Sequence, residues 1–317
     1  NRGTRLFYAS PIFLKWSAIL QLIRETQPDF VYLNNMYSRY FTIYPLLMKK
    51  RRLIHAKVIL APRGMLQQGA IQFKTKKKKL FLKLLNLLKI PAQIHGQATD
   101  EQEKTDFLRY LPGIRSVFVI PNFPSEVPQT LVPVQKCKGE LHLVFISRIS
   151  PKKNLLFLLS LLKNIPDRFR VDLTIRGGIE NTAYWTNCAS AIQKLPYHVS
   201  VRYEGPINHN EVTAIIRQHH LFVLPTLGEN FGHAIFEAIA AGRPVLISDQ
   251  TPWRNLQEQH AGWDLPLSDQ AAFIKVLQEV ADMDNEIFQQ WSRGAWNYAK
   301  GFSDSSGLKE KYRELFS

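Results

Sequence analysis

From end to end the chain alternates short β-rich apolar runs with stretches of helical period. This alternation predicts parallel sheets covered by helices on both faces. In the first part the predicted strands are RLFYAS (5–10), DFVYLNN (29–35), KVILAPR (57–63), AQIHGQA (92–98) and SVFVIPN (116–122). Helical patterns lie between them at 13–25 and in the Lys/Leu-rich stretch 74–90. The segment 121–140 carries four prolines and no clear period, and reads as a linker between domains. Beyond it the alternation restarts more cleanly. Strands are expected at 141–147, 170–176, 198–204, 221–226 and 244–249, and helices near 154–164, 184–195, 210–219, 232–241, 269–281 and 284–300. LFVLP and its like are unbroken apolar runs, the mark of strands buried on both faces. The pattern is that of a doubly wound sheet, which binds ligands beyond the carboxyl ends of its strands.

Length and charge refine this picture. A chain of 317 residues suits two domains better than one core. Lys and Arg outnumber Asp and Glu by 21 to 7 in residues 1–130 but only by 20 to 19 in 131–317, so nearly all of the net +15 sits in the first part. That asymmetry points to different partners for the two parts, with an anionic surface or substrate for the first. Cys137 and Cys188 are isolated, without CxxC spacing, which predicts neither a disulfide framework nor a zinc site and fits a reducing cytoplasm. No apolar run reaches the roughly 18 residues of a membrane-spanning helix.

Three segments follow predicted strands, where the ligand crevice should lie. SRISPKKN (147–154) offers Arg148 and Lys153, a guanidinium fork and a point charge suited to a diphosphate; solvated loop cations are the plain alternative. IRGG (175–178) would let backbone approach a ligand closely at Gly178, or form only a tight turn. LFVLPTLGENFGHAIFEAIAAGRPV reads strand, loop, helix, strand, with Gly242 as C-cap and Pro244 past the stop. Glu229 lies before this helix and Glu237 inside it, while Asn230, Phe231 and Gly232 lie at its positive N-terminus, an anion site. Two carboxylates at two levels can accept hydrogen bonds from vicinal hydroxyls, one pair on a hexose and one on a ribose. AIFEAIAAG surrounds Glu237 with apolar residues, so a carboxylate there needs a ligand or partner.

The Glu-x7-Glu pattern with FG after the first acid resembles the signature of glycosyltransferase family 4, the retaining GT-B enzymes. SRISPKKN is similar to that family's Arg-x4-Lys diphosphate motif, with Asn154 where Gly is usual. APRGML (61–66), TDEQE (99–103) and VIPNF (119–123) also look like family segments, so the resemblance runs from about residue 30 to the C-terminus. It implies two Rossmann-like, doubly wound parallel-sheet domains facing a central cleft. An acceptor-side domain would cover 1–135, a nucleotide-sugar donor domain 136–302, and a closing helix at 303–317 would pack back on the first. The family's first strand and glycine-rich loop have no counterpart here, which implies an N-terminally truncated first domain. The resemblance further implies that Arg148 and Lys153 neutralise the leaving diphosphate. Glu229 and the backbone at Phe231 and Gly232 would hold the donor sugar, Glu237 the ribose, and Gly205 and Ile207 would flank the base. The reaction implied is transfer with retention and without a metal or other cofactor, from a nucleotide sugar to a saccharide or lipid-linked acceptor in cell-surface polysaccharide synthesis. A sugar phosphorylase or nucleotide-sugar epimerase on the same fold, or an inactive membrane-associated binding module, is the alternative.

Two further features bear on the first domain. Where many family members have a His, APRGML has Arg63, either a contact to an anionic donor or acceptor group or part of a structural turn; His95 reads as a packing or surface residue. In 74–90, Lys76, Lys79, Lys83, Asn86 and Lys89 form one polar stripe on an apolar helix. That stripe fits an interfacial helix on the anionic inner face of the plasma membrane, or equally the basic outer face of a core-packed helix. Nucleic acid is not expected, since no aromatic interleaving accompanies the lysines.

Overall fold

The structure, a computed structural model, describes residues 6–8, 10, 14–66, 75–305 and 307–317. They divide into two compact units, one of residues 1–122 with 308–317 and one of residues 123–307. Each is built on a wholly parallel sheet. The architecture is α/β, with two Rossmann-like domains.

In the first unit the sheet runs in the order β1 (Phe30–Leu33), β2 (Lys57–Leu60), β3 (His95–Ala98), β4 (Ser116–Val119). Four of the five predicted strands are therefore present. Leu6, Phe7, Tyr8 and Ser10 form no strand, and Arg5 and Ala9 lie outside the described residues. Helices Trp16–Thr26, Tyr44–Lys50, Thr75–Leu87 and Glu101–Tyr110 flank the sheet, as does Leu308–Leu315 from the end of the chain. This last helix buries Leu308 and Leu315 with Ile59 and Ile120, and its Tyr312 hydroxyl accepts from Gln97 Nε2 at 3.0 Å.

The second unit's sheet has the order β10 (Gly262–Leu265), β9 (Val245–Ser248), β8 (Leu221–Leu224), β5 (Glu140–Ile146), β6 (Arg170–Arg176), β7 (Val199–Tyr203). Chain order reverses beside β5, which places the topological switch point between β5 and β8. β8 and β9 are buried at every residue, as unbroken apolar runs require. β10 is the one strand of this sheet without a sequence signal: GWDL is four residues long, and only its first two are buried.

The proline-bearing segment expected as a linker is packed onto the second unit from residue 123. Lys136, almost wholly buried, donates to the carbonyls of Cys137, Ala281 and Met283 at 2.7, 3.0 and 3.1 Å, closing the C-terminus of helix Gln270–Asp282. Burial lowers its pKa to about 8. The segment forms no strand; its carbonyls at Pro128, Val132, Val134 and Gln135 accept from the side chains of Trp296, Arg243, Gln289 and His220.

Candidate active site

A cavity of about 690 Å³ opens beyond the carboxyl ends of β5 and β8, in the second unit alone. Ile146 and Ser147 bring β5 to it, and Leu224 brings β8. Two loops supply its charge. Pro151–Lys153 forms one 3₁₀ turn, stopped by Asn154 at φ 58°. Asn tolerates this left-handed conformation better than other non-glycine residues, which accounts for its standing where the family motif has Gly. The Lys152 carbonyl then accepts from Leu227 N at 2.8 Å and Thr226 Oγ1 at 3.1 Å, pinning this turn to the loop after β8. Lys153 Nζ consequently meets Glu229 Oε1 in an ion pair whose two side chains are both nearly buried.

Helix His233–Ala240 starts at the same cavity. Its N-cap is Gly232 at φ 76°, a conformation that strains a residue with a Cβ, and no side chain closes the cap. Gly232, His233 and Ala234 line the cavity, so the positive end of the helix faces it. One turn on, Glu237 is buried; Ser125 Oγ donates to its Oε1 at 3.0 Å, and His209 Nδ1 lies 3.6 Å from the same oxygen. Burial raises the Glu237 pKa above 4.5, more than Ser125 and His209 draw it back. Between 4.5 and that raised value the native state keeps a proton that the unfolded chain has released, so stability falls as pH rises through this window. Glu237→Gln is thus expected to raise the thermal midpoint of the ligand-free protein at pH 7.5, with the gain vanishing below pH 4.5. Melting curves at the two pH values check this; an equal gain at both would refute it.

The expected site residues do not all converge. Lys153, Glu229, Gly232 and Glu237 line one cavity. Arg148 does not line it: its guanidinium pairs with Glu180 Oε1 at 2.7 Å, both side chains being largely exposed. Phe231 turns its ring into the aromatic core against Trp253 and Phe236, and its carbonyl accepts from Trp253 Nε1. Asn230, Gly178, Gly205 and Ile207 are not among the lining residues. In the glycine pair, Gly177 carries the steric constraint. It has φ 141°, and a Cβ there would fall 1.9 Å from the Ser147 carbonyl oxygen, whereas Gly178 has open space. Arg63, in the first unit, has φ 55° and donates to Asn34 Oδ1 and the Tyr32 hydroxyl, each at 2.6 Å. Glu103, wholly buried, accepts from Gly64 N and Thr99 N and so holds this turn.

Ser125 and His209 escaped the sequence reading. Ser125 sits in the supposed linker and had no periodicity to mark it. His209 had a legible sign, because Asn208 and Glu211 form a capping box that starts the turn carrying it. Among the described residues, no group of three or more His, Cys, Asp and Glu side chains is arranged to hold a metal ion. No helix among them is long and apolar enough to cross a membrane.

Residues 140–282 match the model of the family Glycosyl transferases group 1. An uncharacterized glycosyltransferase of Methanocaldococcus jannaschii is 26% identical over 113 residues, which cover 34% of this chain and 27% of that protein. The phosphatidyl-myo-inositol mannosyltransferase of Mycobacterium leprae is 27% identical over 151 residues, or 46% of this chain and 38% of its own length. The matched stretch thus spans well under half of either relative. The Anabaena protein HepE, crystallised with UDP and glucose, superposes with a TM-score of 0.68 over 95% of this chain and 81% of that one, at 14% identity. The fold is accordingly GT-B, with two Rossmann-like domains, and residues 140–282 of the second are similar to the Glycosyl transferases group 1 family.

Proposed function

We propose that the protein is a retaining glycosyltransferase, moving a sugar from a nucleotide-diphosphate donor to a saccharide or lipid-linked acceptor in cell-surface polysaccharide synthesis. The observation that carries this reading is the Lys153–Glu229 pair in the same cavity as the N-terminus of helix His233–Ala240 and the buried Glu237. HepE's UDP and glucose support a nucleotide-linked donor, and the mannosyltransferase relative supports sugar transfer.

The geometry supplies a sequence of exchanges. A donor diphosphate replaces Glu229 as the counter-charge of Lys153 and takes up the N–H groups at Gly232 and beyond. Glu229, released, accepts hydrogen bonds from the sugar's hydroxyls, with the backbone at Asn230 and Phe231 alongside. Glu237 exchanges Ser125 for the ribose hydroxyls, and the segment with Gly205 and Ile207 flanks the base beyond Gly178. Arg148 joins the diphosphate by leaving Glu180, and an exposed pair of this kind costs at most about 1 kcal/mol to break. The acceptor oxygen then attacks the anomeric carbon on the face from which the diphosphate departs. The bond to the phosphate oxygen breaks, and the acceptor's proton passes to that oxygen. The cations and the helix N-terminus stabilise the charge that develops there, so the reaction as proposed needs no metal or cofactor. Arg63 is assigned to an anionic group of donor or acceptor.

Calorimetry with UDP- and GDP-sugars, followed by assay of released nucleoside diphosphate, tests the reading. Binding and release are expected for one nucleotide class, with release abolished in Glu229→Gln. Turnover that consumes inorganic phosphate in place of the nucleotide would overturn it.

A further inference from the structure

Helix Thr75–Leu87 does not bury the apolar residues of its sequence as one core stripe. Leu82 and Leu85 enter the first unit's core with Ile90 just beyond the helix, and Asn86 Nδ2 donates to the Tyr110 carbonyl at 2.9 Å. Asn86 therefore belongs to the inner face, not to the polar stripe expected for it. Leu80, Leu84, Leu87 and Leu88 point outward instead, at 59, 46, 74 and 40% exposure. The first three recur at four and three residues and so form a single ridge. Lys76, Lys79 and Lys83, also exposed, run beside that ridge at the same spacing, with Lys77 on its other side and Lys89 past its end. Lys78 differs, its ammonium lying over the Tyr37 ring. The stretch 75–90 contains no acidic residue; Lys74 lies outside the described residues.

We propose that this ridge docks on an anionic lipid bilayer, the leucines entering the acyl boundary and the lysines reaching the headgroups. The inference goes beyond the transferase reading and does not depend on it. Three properties favour a bilayer over other occupants. The ridge is convex, and a fluid interface moulds to protruding leucines without needing a matching groove. The lysines flank the leucines, the arrangement in which long cationic stems lie along apolar surface while their heads stay wet. The positive charge complements anionic headgroups and attracts them across a Debye length of about 8 Å. Nucleic acid would satisfy the lysines but strand the leucines in water.

The test is co-sedimentation of the full chain with vesicles of phosphatidylcholine alone or mixed with phosphatidylglycerol. Binding is expected only to the anionic vesicles. Leu80→Gln/Leu87→Gln, at exposed positions that leave the core untouched, is expected to weaken it about tenfold or more. Lys76→Glu/Lys79→Glu/Lys83→Glu is expected to abolish it, and a Trp placed at Leu84 to shift its emission to the blue on binding. Equal binding to neutral vesicles would overturn the proposal. So would binding that survives the leucine changes, which would mean electrostatic adhesion alone. A third overturning result is self-association lost in the leucine variant without any vesicle binding, which would make the ridge an interface between copies. Loss of sugar transfer with vesicle binding intact would count against the transferase reading only.

Discussion

Lys153→Ala is expected to lower kcat/KM for a nucleotide-sugar donor by about 10²–10³-fold, the range found when one preorganised stabiliser of developing charge is removed. The substitution acts twice. It removes the ammonium meant for the diphosphate, and it leaves Glu229 nearly buried beside the diphosphate's place without a counter-charge. Repulsion from this orphaned carboxylate adds to the loss, so Glu229→Gln introduced on top of Lys153→Ala should cost far less than it does alone. The two changes would then be strongly non-additive, as groups in direct contact are. Donor kinetics on the two single variants and the double variant check this. If Lys153→Ala keeps activity within about threefold, or if the effects of the two changes simply multiply, the pair is not the diphosphate anchor proposed for it.

The second large effect concerns stability. Arg243 is wholly buried and is held by carbonyls instead of a carboxylate: those of Arg217, Val132 and Gly242 at 2.7, 2.9 and 3.0 Å, with Ser292 Oγ at 3.3 Å. Burial, with some repulsion from Arg217, lowers its pKa to about 10, which still leaves it charged at neutral pH. One guanidinium thus joins the ends of two helices, the proline-bearing segment and the helix Asn285–Ser305. Arg243→Met keeps much of the volume but strands several buried carbonyls, at about 1–3 kcal/mol for each group left unpaired. A total loss of about 3–5 kcal/mol is expected, because relaxation and water recover part of the sum. For a unit of this size that corresponds to roughly a 10 °C drop in Tm. Thermal and urea denaturation measure it; a loss below about 1 kcal/mol would mean that the carbonyls find other partners.

Arg243 also shows why parts of the molecule were hidden from a reading of the chain. In GRPV it looks like a surface residue past a helix end, yet three of its partners are 26, 49 and 111 residues away. Ser125 is similar, since the residue it meets is Glu237, 112 positions on. Arg148 and Lys153 read alike as loop cations, yet one pairs with Glu180 in an exposed contact and the other with Glu229 in the cavity lining. Leu80 and Leu82 are identical in sequence terms and opposite in burial.

What the sequence determined by itself was whatever depends on near neighbours. Strand and helix alternation, the buried runs at β8 and β9, the glycine start of the helix carrying Glu237 and the charge excess of the first part follow from local period, backbone sterics and composition. The grouping of Lys153, Glu229 and Glu237 beyond parallel strand ends followed from the handed connections of such a sheet. Only the tertiary structure decided which cation faces the cavity, which glycine of a pair has no room for a Cβ, and which leucines of one helix face water. Those outcomes turn on distances of a few ångströms between segments far apart in the chain, and no local pattern encodes such distances.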